Sequence, residues 1–132
     1  MPDFISMGEL LVEFVANEDN VSLVDAASFV KAPGGAPANV AVAAQRLGLS
    51  AGFVGKIGDD PFGAYLRQSL DETGVDTRYL MIDPTARTTA VFVAVWDDGR
   101  KDLCFYRNPG ADMLLSEDDI TTQIFEGARC FH

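Results

Sequence analysis

The chain has 132 residues, of which 48% are hydrophobic and 23% charged, so we expect one domain with a real core and exclude a disordered chain. Ten basic residues stand against twenty acidic ones, which gives a formal net charge of −10. Because nucleic acids and anionic membranes are bound through lysine and arginine, neither kind of partner is expected. No apolar stretch approaches the roughly 20 residues of a membrane-spanning helix.

Two cysteines and one histidine limit the chemistry that the chain can carry. Cys104 and Cys130 each lie in an apolar stretch, which predicts two buried thiols rather than metal ligands. Since His132 is the single histidine, neither a zinc site nor a histidine-based catalytic triad is expected. A chain with no basic and apolar leader and no disulfide pattern is expected in the cytoplasm.

The first segments of the chain are rich in strand and turn signals. Residues 5–15 predict one strand or a bent pair of strands, and residues 22–29 fit either a strand or a short helix. Residues 33–37, a run of proline and glycine, predict a loop. The apolar residues that follow repeat at helical spacing, and Gly48 predicts the end of that helix.

A strand and a second helix come next. Residues 51–57 are short, apolar and bounded by glycines, which predicts a strand. Asp60 directly before Pro61 is typical of a helix start, because the carboxylate can cap the first turn and proline fits there. Gly74 predicts the end of this helix. The order of strands and helices predicts an α/β fold with a parallel sheet.

The remaining segments have a different pattern. Residues 88–96 and 103–106 are dense in β-branched and aromatic side chains, and the turn between them contains Gly99, which predicts a β-hairpin. Ser116, followed by three acidic residues, predicts a capped helix. Residues 128–132 predict one further strand.

The glycine pair Gly34 and Gly35 is the most informative motif. Adjacent glycines let a backbone approach a bound molecule closely, and Asn39 on the following helical turn offers both a donor and an acceptor, which suits a sugar hydroxyl. The motif is neither a dinucleotide fingerprint nor a phosphate-binding P-loop. From the residues alone, a ligand contact and a tight turn that needs glycine remain alternatives.

Three charged residues are further candidates. Glu13 shares a strand face with Leu11 and Val15, so its carboxylate either binds a ligand or lies in water at a strand edge. Arg107 lies at a strand end, where it either anchors a polar substrate or pairs with a surface acid. Asp112 fits a turn or cap residue better than a catalyst.

Four segments, in this order, resemble the ribokinase-like (PfkB) carbohydrate kinases and together span nearly the whole chain. They are GELLVEF (8–14), APGGAPANVAVA (32–43), FVGKIGDDPFG (53–63) and FYRNPGADMLL (105–115). The last segment resembles the fructokinase branch, although branches that phosphorylate 2-keto-3-deoxygluconate or ribosides share much of the pattern. The resemblance implies an ATP-dependent sugar kinase, in the first place a fructokinase that converts fructose to fructose 6-phosphate.

The resemblance also implies a fold and a set of site residues. The fold is a Rossmann-like α/β core, the ribokinase fold, with a small β-sheet lid whose strands are expected within residues 10–30 and 88–107. Since such lids often pair between subunits, a homodimer is expected. Glu13 stands where many relatives carry an aspartate that bonds the sugar. The implied sugar-binding residues are Glu13, Gly34, Gly35, Asn39, Phe105 and Arg107.

The resemblance places the catalytic machinery outside these 132 residues. The family's base is an aspartate in a Gly-Ala-Gly-Asp motif, which does not occur here. The ATP site and the acidic motif linked to Mg²⁺ belong to the same C-terminal half. We therefore assign no catalytic, cofactor-binding or metal-binding residue to this chain and expect it to be inactive alone. A 2-keto-3-deoxygluconate kinase and a non-catalytic sugar-binding or dimerising half-protein remain the alternatives.

Overall fold

The computed structural model describes residues 1–132 and contains two four-stranded sheets and two α-helices. In chain order the elements are β1 (Phe4–Met7), β2 (Leu11–Ala16), β3 (Phe29–Gly34), α1 (Ala36–Arg46), β4 (Ala51–Gly58), α2 (Pro61–Thr73), β5 (Asp76–Asp83), β6 (Ala90–Val95), β7 (Lys101–Tyr106) and β8 (Cys130–Phe131). Neither helix combines the length and the apolar character that a membrane crossing requires.

The first sheet is parallel throughout and forms the centre of the molecule. Its strand order is β5-β4-β1-β8, and both helices pack against it. Strand β4 is buried along almost its whole length, as expected of a parallel strand that is covered on both faces. On the helical side lies the main core, which contains Leu10, Val12, Ala38, Ala41, Phe53, Ile57, Leu66, Leu70, Val75 and Leu80. On the other face Ile5 and Val54 pack with Ile124. The predicted parallel α/β fold is confirmed.

The second sheet has mixed topology, with the strand order β3-β2-β6-β7. Strands β2 and β6 are parallel, whereas β3 and β7 pair antiparallel at the two edges. The predicted hairpin is confirmed, because β6 and β7 are joined through a turn in which Gly99 has a φ of 86°. One face of this sheet carries an apolar cluster of Leu11, Val91 and Val93.

Two contacts fix the second sheet to the core. The ring of Phe14 lies 5.2 Å from the ring of Phe62 in α2 and 5.0 Å from that of Phe92 in β6, measured between centroids. Asp60 caps α2 by accepting a hydrogen bond from the Gly63 amide, and its second oxygen accepts one from the Thr88 amide next to β6. Burial acts to raise the pKa of Asp60, but these hydrogen bonds outweigh it and lower the pKa below its ordinary value. The capping residue therefore also anchors the hairpin.

Local signals placed most of the other elements correctly. Residues 5–15 form the bent pair of strands rather than one strand, and Gly8 between them has a φ of 143°. Helix α2 begins after Asp60 and ends at Gly74, which adopts the left-handed conformation, as predicted. Helix α1 ends at Arg46 with Leu47 as its C-cap, and Gly48 directly after the cap has a φ of 93°, as predicted for the residue that ends the helix.

Two predictions about local structure are wrong. The predicted loop at residues 33–37 does not exist, because β3 runs to Gly34 and α1 starts at Ala36, so that a single residue makes the turn. The helix predicted from Ser116 is replaced by short 3₁₀ turns at Glu117–Asp119 and Thr122–Phe125. There the Asp119 carboxylate, which closes the capping box, is also bound by Lys56 of β4 at 2.7 Å. This hydrogen bond lowers the pKa of Asp119 and ties the segment to the sheet.

Tertiary placement overturns one further expectation, resolves another and adds a strand that was not predicted. Cys104 and Cys130 are exposed rather than buried, because each lies on an edge strand of its sheet. Strand β5 had no prediction, since its sequence alternates polar and apolar residues only weakly. Residues 22–29, which fitted a strand or a helix, form turns up to the start of β3.

Candidate functional site

The second sheet and the start of α1 enclose a cavity of about 290 Å³. This volume lies at the lower end of the range of roughly 300–1,000 Å³ that is usual for small-molecule sites. Apolar side chains of the sheet, Leu11, Val91, Val93 and Leu103, form one wall. The cavity thus combines an apolar wall with four polar or charged residues, Glu9, Glu13, Asn39 and Lys101, a composition that suits a small polar ligand.

Four of the six predicted site residues line this cavity: Glu13, Gly35, Asn39 and Phe105. Glu13 comes from the middle of β2, and its half-buried carboxylate makes no hydrogen bond within the chain. Asn39 lies on the first turn of α1, and its side-chain amide also has no partner in the chain. An acceptor and a group that both donates and accepts are therefore available to a ligand in the same cavity.

Gly35 turns the chain between β3 and α1. Its φ of 108° lies in the region that side chains with a Cβ rarely adopt, and a Cβ at this position would collide with the carbonyl oxygen of Glu9. The turn is so tight that the first turn of α1 faces the cavity directly. The first helical amides and the helix dipole favour an oxygen atom at that place.

Gly34 has a different position from its neighbour. It lines a second cavity of about 190 Å³ together with Arg46 and Thr73. A Cβ on Gly34 would lie 2.5 Å from Oε1 of Glu13 and 2.6 Å from its Cγ. Gly34 therefore makes room for the Glu13 side chain on the neighbouring strand, a constraint that the sequence pattern did not indicate.

Arg107 follows β7 and lies beside the cavity rather than in its lining. Its Nη1 atom donates a hydrogen bond of 2.6 Å to Oε2 of Glu9, and its guanidinium lies 4.2 Å from the centroid of the Phe105 ring. Of the two interpretations given above for Arg107, pairing with an acid is therefore observed. That acid is itself a cavity residue, so the pair belongs to the site.

Two charged cavity residues, Glu9 and Lys101, were missed by the sequence analysis. A signal for Lys101 was present: residues 101, 103 and 105 alternate along β7, so Lys101 shares the face of Phe105. No such signal exists for Glu9, which lies in the turn between β1 and β2. Its partner Arg107 is 98 residues away in the sequence.

Asp112 lies close to this charge pair. Its carboxylate accepts a hydrogen bond from the hydroxyl of Thr89, at the start of β6. Burial raises the pKa of Asp112 above its ordinary value, and the negative charge of Glu9 adds to the rise. The hydrogen bond from Thr89 and the positive charge of Arg107 oppose it without cancelling it. Asp112 thus joins the 3₁₀ turn Ala111–Leu114 to the second sheet, a structural role consistent with the turn or cap predicted for it.

We expect the Asp112→Asn variant to change how stability depends on pH. A folded-state pKa above the unfolded value of about 3.9 means that stability falls as the pH rises through this interval. The difference in unfolding free energy, wild type minus variant, should therefore decrease from pH 4 upwards and then level off. Urea unfolding at pH 4 to 7.5 measures it, with exposed Asp118→Asn as the reference. A difference that increases with pH would contradict the assignment.

The chain has no cluster of metal-ligating side chains. No three histidine, cysteine, aspartate or glutamate side chains of this chain gather closely enough to hold a metal ion. These residues therefore offer no ready-made cluster of carboxylates for the Mg²⁺ that the resemblance implies for the complete enzyme, and we derive no step through a metal from them.

Comparison with known proteins gives one consistent family. The family model described as pfkB family carbohydrate kinase matches residues 1–132. The chain is 49% identical to probable fructokinase-4 of Arabidopsis thaliana over 97% of its own length, and equally identical to fructokinase-1 of Zea mays. These alignments cover 39% and 40% of the two plant proteins, so the chain spans about two fifths of their length.

Solved structures agree with this result. Fructokinase from Xylella fastidiosa superposes with a TM-score of 0.86 and 37% identity over the whole chain and 41% of that structure. A sugar kinase from Pyrococcus horikoshii, solved in complex with ATP, superposes with a TM-score of 0.89 and 38% identity over 97% of this chain and 41% of its own. The predicted ribokinase-type α/β fold with a second sheet is thereby confirmed. The chain belongs to the pfkB family of carbohydrate kinases.

Proposed function

We propose that these residues form the sugar-binding part of an ATP-dependent fructokinase. The observation that carries the proposal is the convergence of the free Glu13 carboxylate, the free Asn39 amide and the Gly35 turn on one cavity. Carboxylate and amide groups on an apolar wall match the alternating hydroxyl groups and C–H faces of a sugar. The relatives named fructokinase support fructose as the sugar.

Each of these residues has a binding role in the proposal. Glu13 accepts a hydrogen bond from a sugar hydroxyl, and Asn39 holds a second hydroxyl near the start of α1. Phe105, steadied by the stacked guanidinium of Arg107, covers an apolar side of the sugar. Since phosphoryl transfer depends mainly on positioning and charge neutralisation, such contacts act by orienting the hydroxyl that receives the phosphate.

In our proposal the phosphate donor, the metal ion and the catalytic base of the reaction are bound or supplied outside this chain. ATP is the phosphate donor, supported by the related structures from Pyrococcus horikoshii and Xylella fastidiosa that were solved with ATP. Mg²⁺ would neutralise the charge of its phosphates. In our proposal the catalytic aspartate and the ATP site, which the resemblance assigns to the C-terminal half, lie in the roughly three fifths of the relatives that the alignments leave uncovered. We therefore propose that the 132 residues alone transfer no phosphate.

We further propose that the second sheet is a lid over the sugar and pairs with the lid of a second subunit. The strands β2, β6 and β7 lie within the expected ranges of residues 10–30 and 88–107, whereas β3 extends beyond the first range to Gly34. Exposed apolar side chains on its cavity face, such as Val30 and Leu103, support a covering partner. The location of the protein in the cytoplasm stays a prediction.

A kinase assay tests the proposed function. The full-length protein that carries these residues is supplied with ATP and Mg²⁺, and ADP release is followed with fructose, glucose, ribose and 2-keto-3-deoxygluconate. We expect the highest kcat/KM with fructose, and no sugar-dependent ADP release from the 132-residue chain. The highest value with 2-keto-3-deoxygluconate would favour the other kinase, and no transfer to any sugar would favour a non-catalytic binding protein.

A further inference from the structure

The single histidine of the chain, His132, takes part in none of the proposed sugar contacts but is bound to the central sheet. Its amide donates a hydrogen bond to the carbonyl of Ile5, and its carbonyl accepts one from the amide of Met7, so its backbone continues the pairing of β8 with β1. Its ring stacks on that of Phe4, with 6.4 Å between centroids, and its Nδ1 atom lies 3.1 Å from Oγ of Ser6. These contacts hold the imidazole in one orientation.

The hydrogen bonds of Ser6 determine which nitrogen of His132 carries the proton. Ser6 is fully buried, and its Oγ atom donates a hydrogen bond of 2.7 Å to the carbonyl oxygen of Pro37. A hydroxyl has one proton and a carbonyl oxygen can only accept, so the Ser6 proton is committed to Pro37. The contact between His132 and Ser6 therefore requires that Nδ1–H donates to Oγ. When the ring is neutral, this leaves Nε2 as an acceptor.

The acceptor of the Ser6 proton, Pro37, is the second residue of α1. Its neighbours Ala36 and Asn39 both line the sugar cavity. The Pro37 ring also packs against Gly8, where an added Cβ would lie 2.8 Å from the proline Cγ. The start of α1 is thus attached to β1 and the turn after it by one buried hydrogen bond and one apolar contact, and the position of Asn39 depends on both.

We propose that His132 is a positioning residue of the sugar site: it donates from Nδ1–H to Ser6, and the Ser6 hydroxyl in turn holds the start of α1 through the Pro37 carbonyl. This inference rests on the proposed function as a sugar kinase. A hydroxyl that accepts a hydrogen bond is a stronger donor, so His132 strengthens the bond between Ser6 and Pro37. A fixed first turn of α1 presents Asn39 to the sugar in one geometry, and such pre-organisation lowers the cost of binding.

Two substitutions of His132 in the full-length protein test the proposal. Asparagine places an amide nitrogen where Nδ1 lies and can still donate to Ser6, whereas glutamine places it where Nε2 lies and cannot. We expect His132→Gln to raise the KM for fructose about fivefold with kcat within about twofold of wild type, because binding is weakened equally in the ground state and the transition state. His132→Asn should keep KM within about twofold of wild type.

Removal of the intermediate hydroxyl provides a second test of the same chain of hydrogen bonds. Ser6→Ala should raise KM about as much as His132→Gln, and the double variant should be no worse than either one, because both changes break one connection. Glu72→Gln removes a carboxylate from the exposed side of α2, where it bonds only Gln68, and should leave KM and kcat unchanged. Equal KM values in His132→Asn and His132→Gln, or additive effects in the double variant, would overturn the proposal.

The tautomer of His132 is measured without any turnover. Long-range ¹H–¹⁵N correlation spectra of the full-length protein, at a pH at which the ring is neutral, distinguish a proton on Nδ1 from one on Nε2, and the signals of His132 are identified by their loss in His132→Asn. We expect the proton on Nδ1. A proton on Nε2 would overturn the inference, whatever the activity of the protein.

Failure of the proposed function gives a different result. Protein that binds fructose but transfers no phosphate contradicts the proposed function, and the dissociation constants of the variants, obtained from the rise in unfolding temperature with fructose, then replace KM in the same comparison. Protein that binds no sugar contradicts both the proposed function and the positioning role.

Discussion

The Gly35→Ala variant is expected to lose about 3 kcal/mol of unfolding free energy, the largest stability effect of a single substitution that we predict. Two causes add up. A φ of 108° is strained for alanine, and the new Cβ would collide with the Glu9 carbonyl oxygen, which is backbone and cannot move aside. Urea unfolding of the variant and the wild type measures the difference.

Gly48→Ala is the matched control for this prediction. Gly48 has a similar φ of 93°, but no atom lies within 4 Å of the position that its Cβ would occupy. This variant therefore reports the conformational strain alone, about 1 kcal/mol. The excess loss in Gly35→Ala is the contribution of the collision with Glu9. Equal losses in the two variants would contradict the close approach of the glycine turn to Glu9.

The Glu13→Ala variant is expected to have the largest effect on activity. Loss of a hydrogen bond between a carboxylate and a sugar hydroxyl lowers kcat/KM for fructose about 30-fold in the full-length protein. The unfolding free energy should change little, because the carboxylate has no partner within the chain. The ADP-release assay with fructose measures the effect, and Glu72→Ala on α2 provides the control.

Gly34→Ala provides a second test of the same contact. The new Cβ would lie 2.5 Å from Oε1 of Glu13, the end of a flexible side chain that can turn away. We therefore expect kcat/KM to fall while the protein stays folded, and the double variant with Glu13→Ala to be no worse than Glu13→Ala alone. A kcat/KM within about twofold of wild type in Glu13→Ala would refute the proposed contact with the sugar.

Local sequence signals were sufficient to predict those features that depend only on neighbouring residues. The cap Asp60, the stop at Gly74 and the turn at Gly99 each act within a few residues, so spacing in the sequence predicts them. The same approach failed at Ser116. Its capping box with Asp119 does form. Asp119 also binds Lys56 on β4, which lies 63 residues earlier in the sequence, and this contact helps to determine the shape of the segment.

The candidate site was predictable in part, because several of its residues belong to short sequence motifs. The motifs indicated Glu13, Gly35, Asn39 and Phe105, and the structure gathers all four around one cavity. Assignment of these residues as sugar contacts stays a prediction. Gly34 was named with them; it lines a second cavity and lies against the side chain of Glu13, and its contact with a sugar likewise stays a prediction.

The sequence by itself determined the α/β order, the two helices, the hairpin and the resemblance to a kinase family, because each depends on residue types at short or fixed spacings. Only the tertiary structure decided that Arg107 pairs with Glu9, that both cysteines are exposed and that Gly34 makes room for Glu13. Each of these depends on which strands become neighbours and which become edges. That choice follows from burial of the whole core, and no local pattern of residues encodes it.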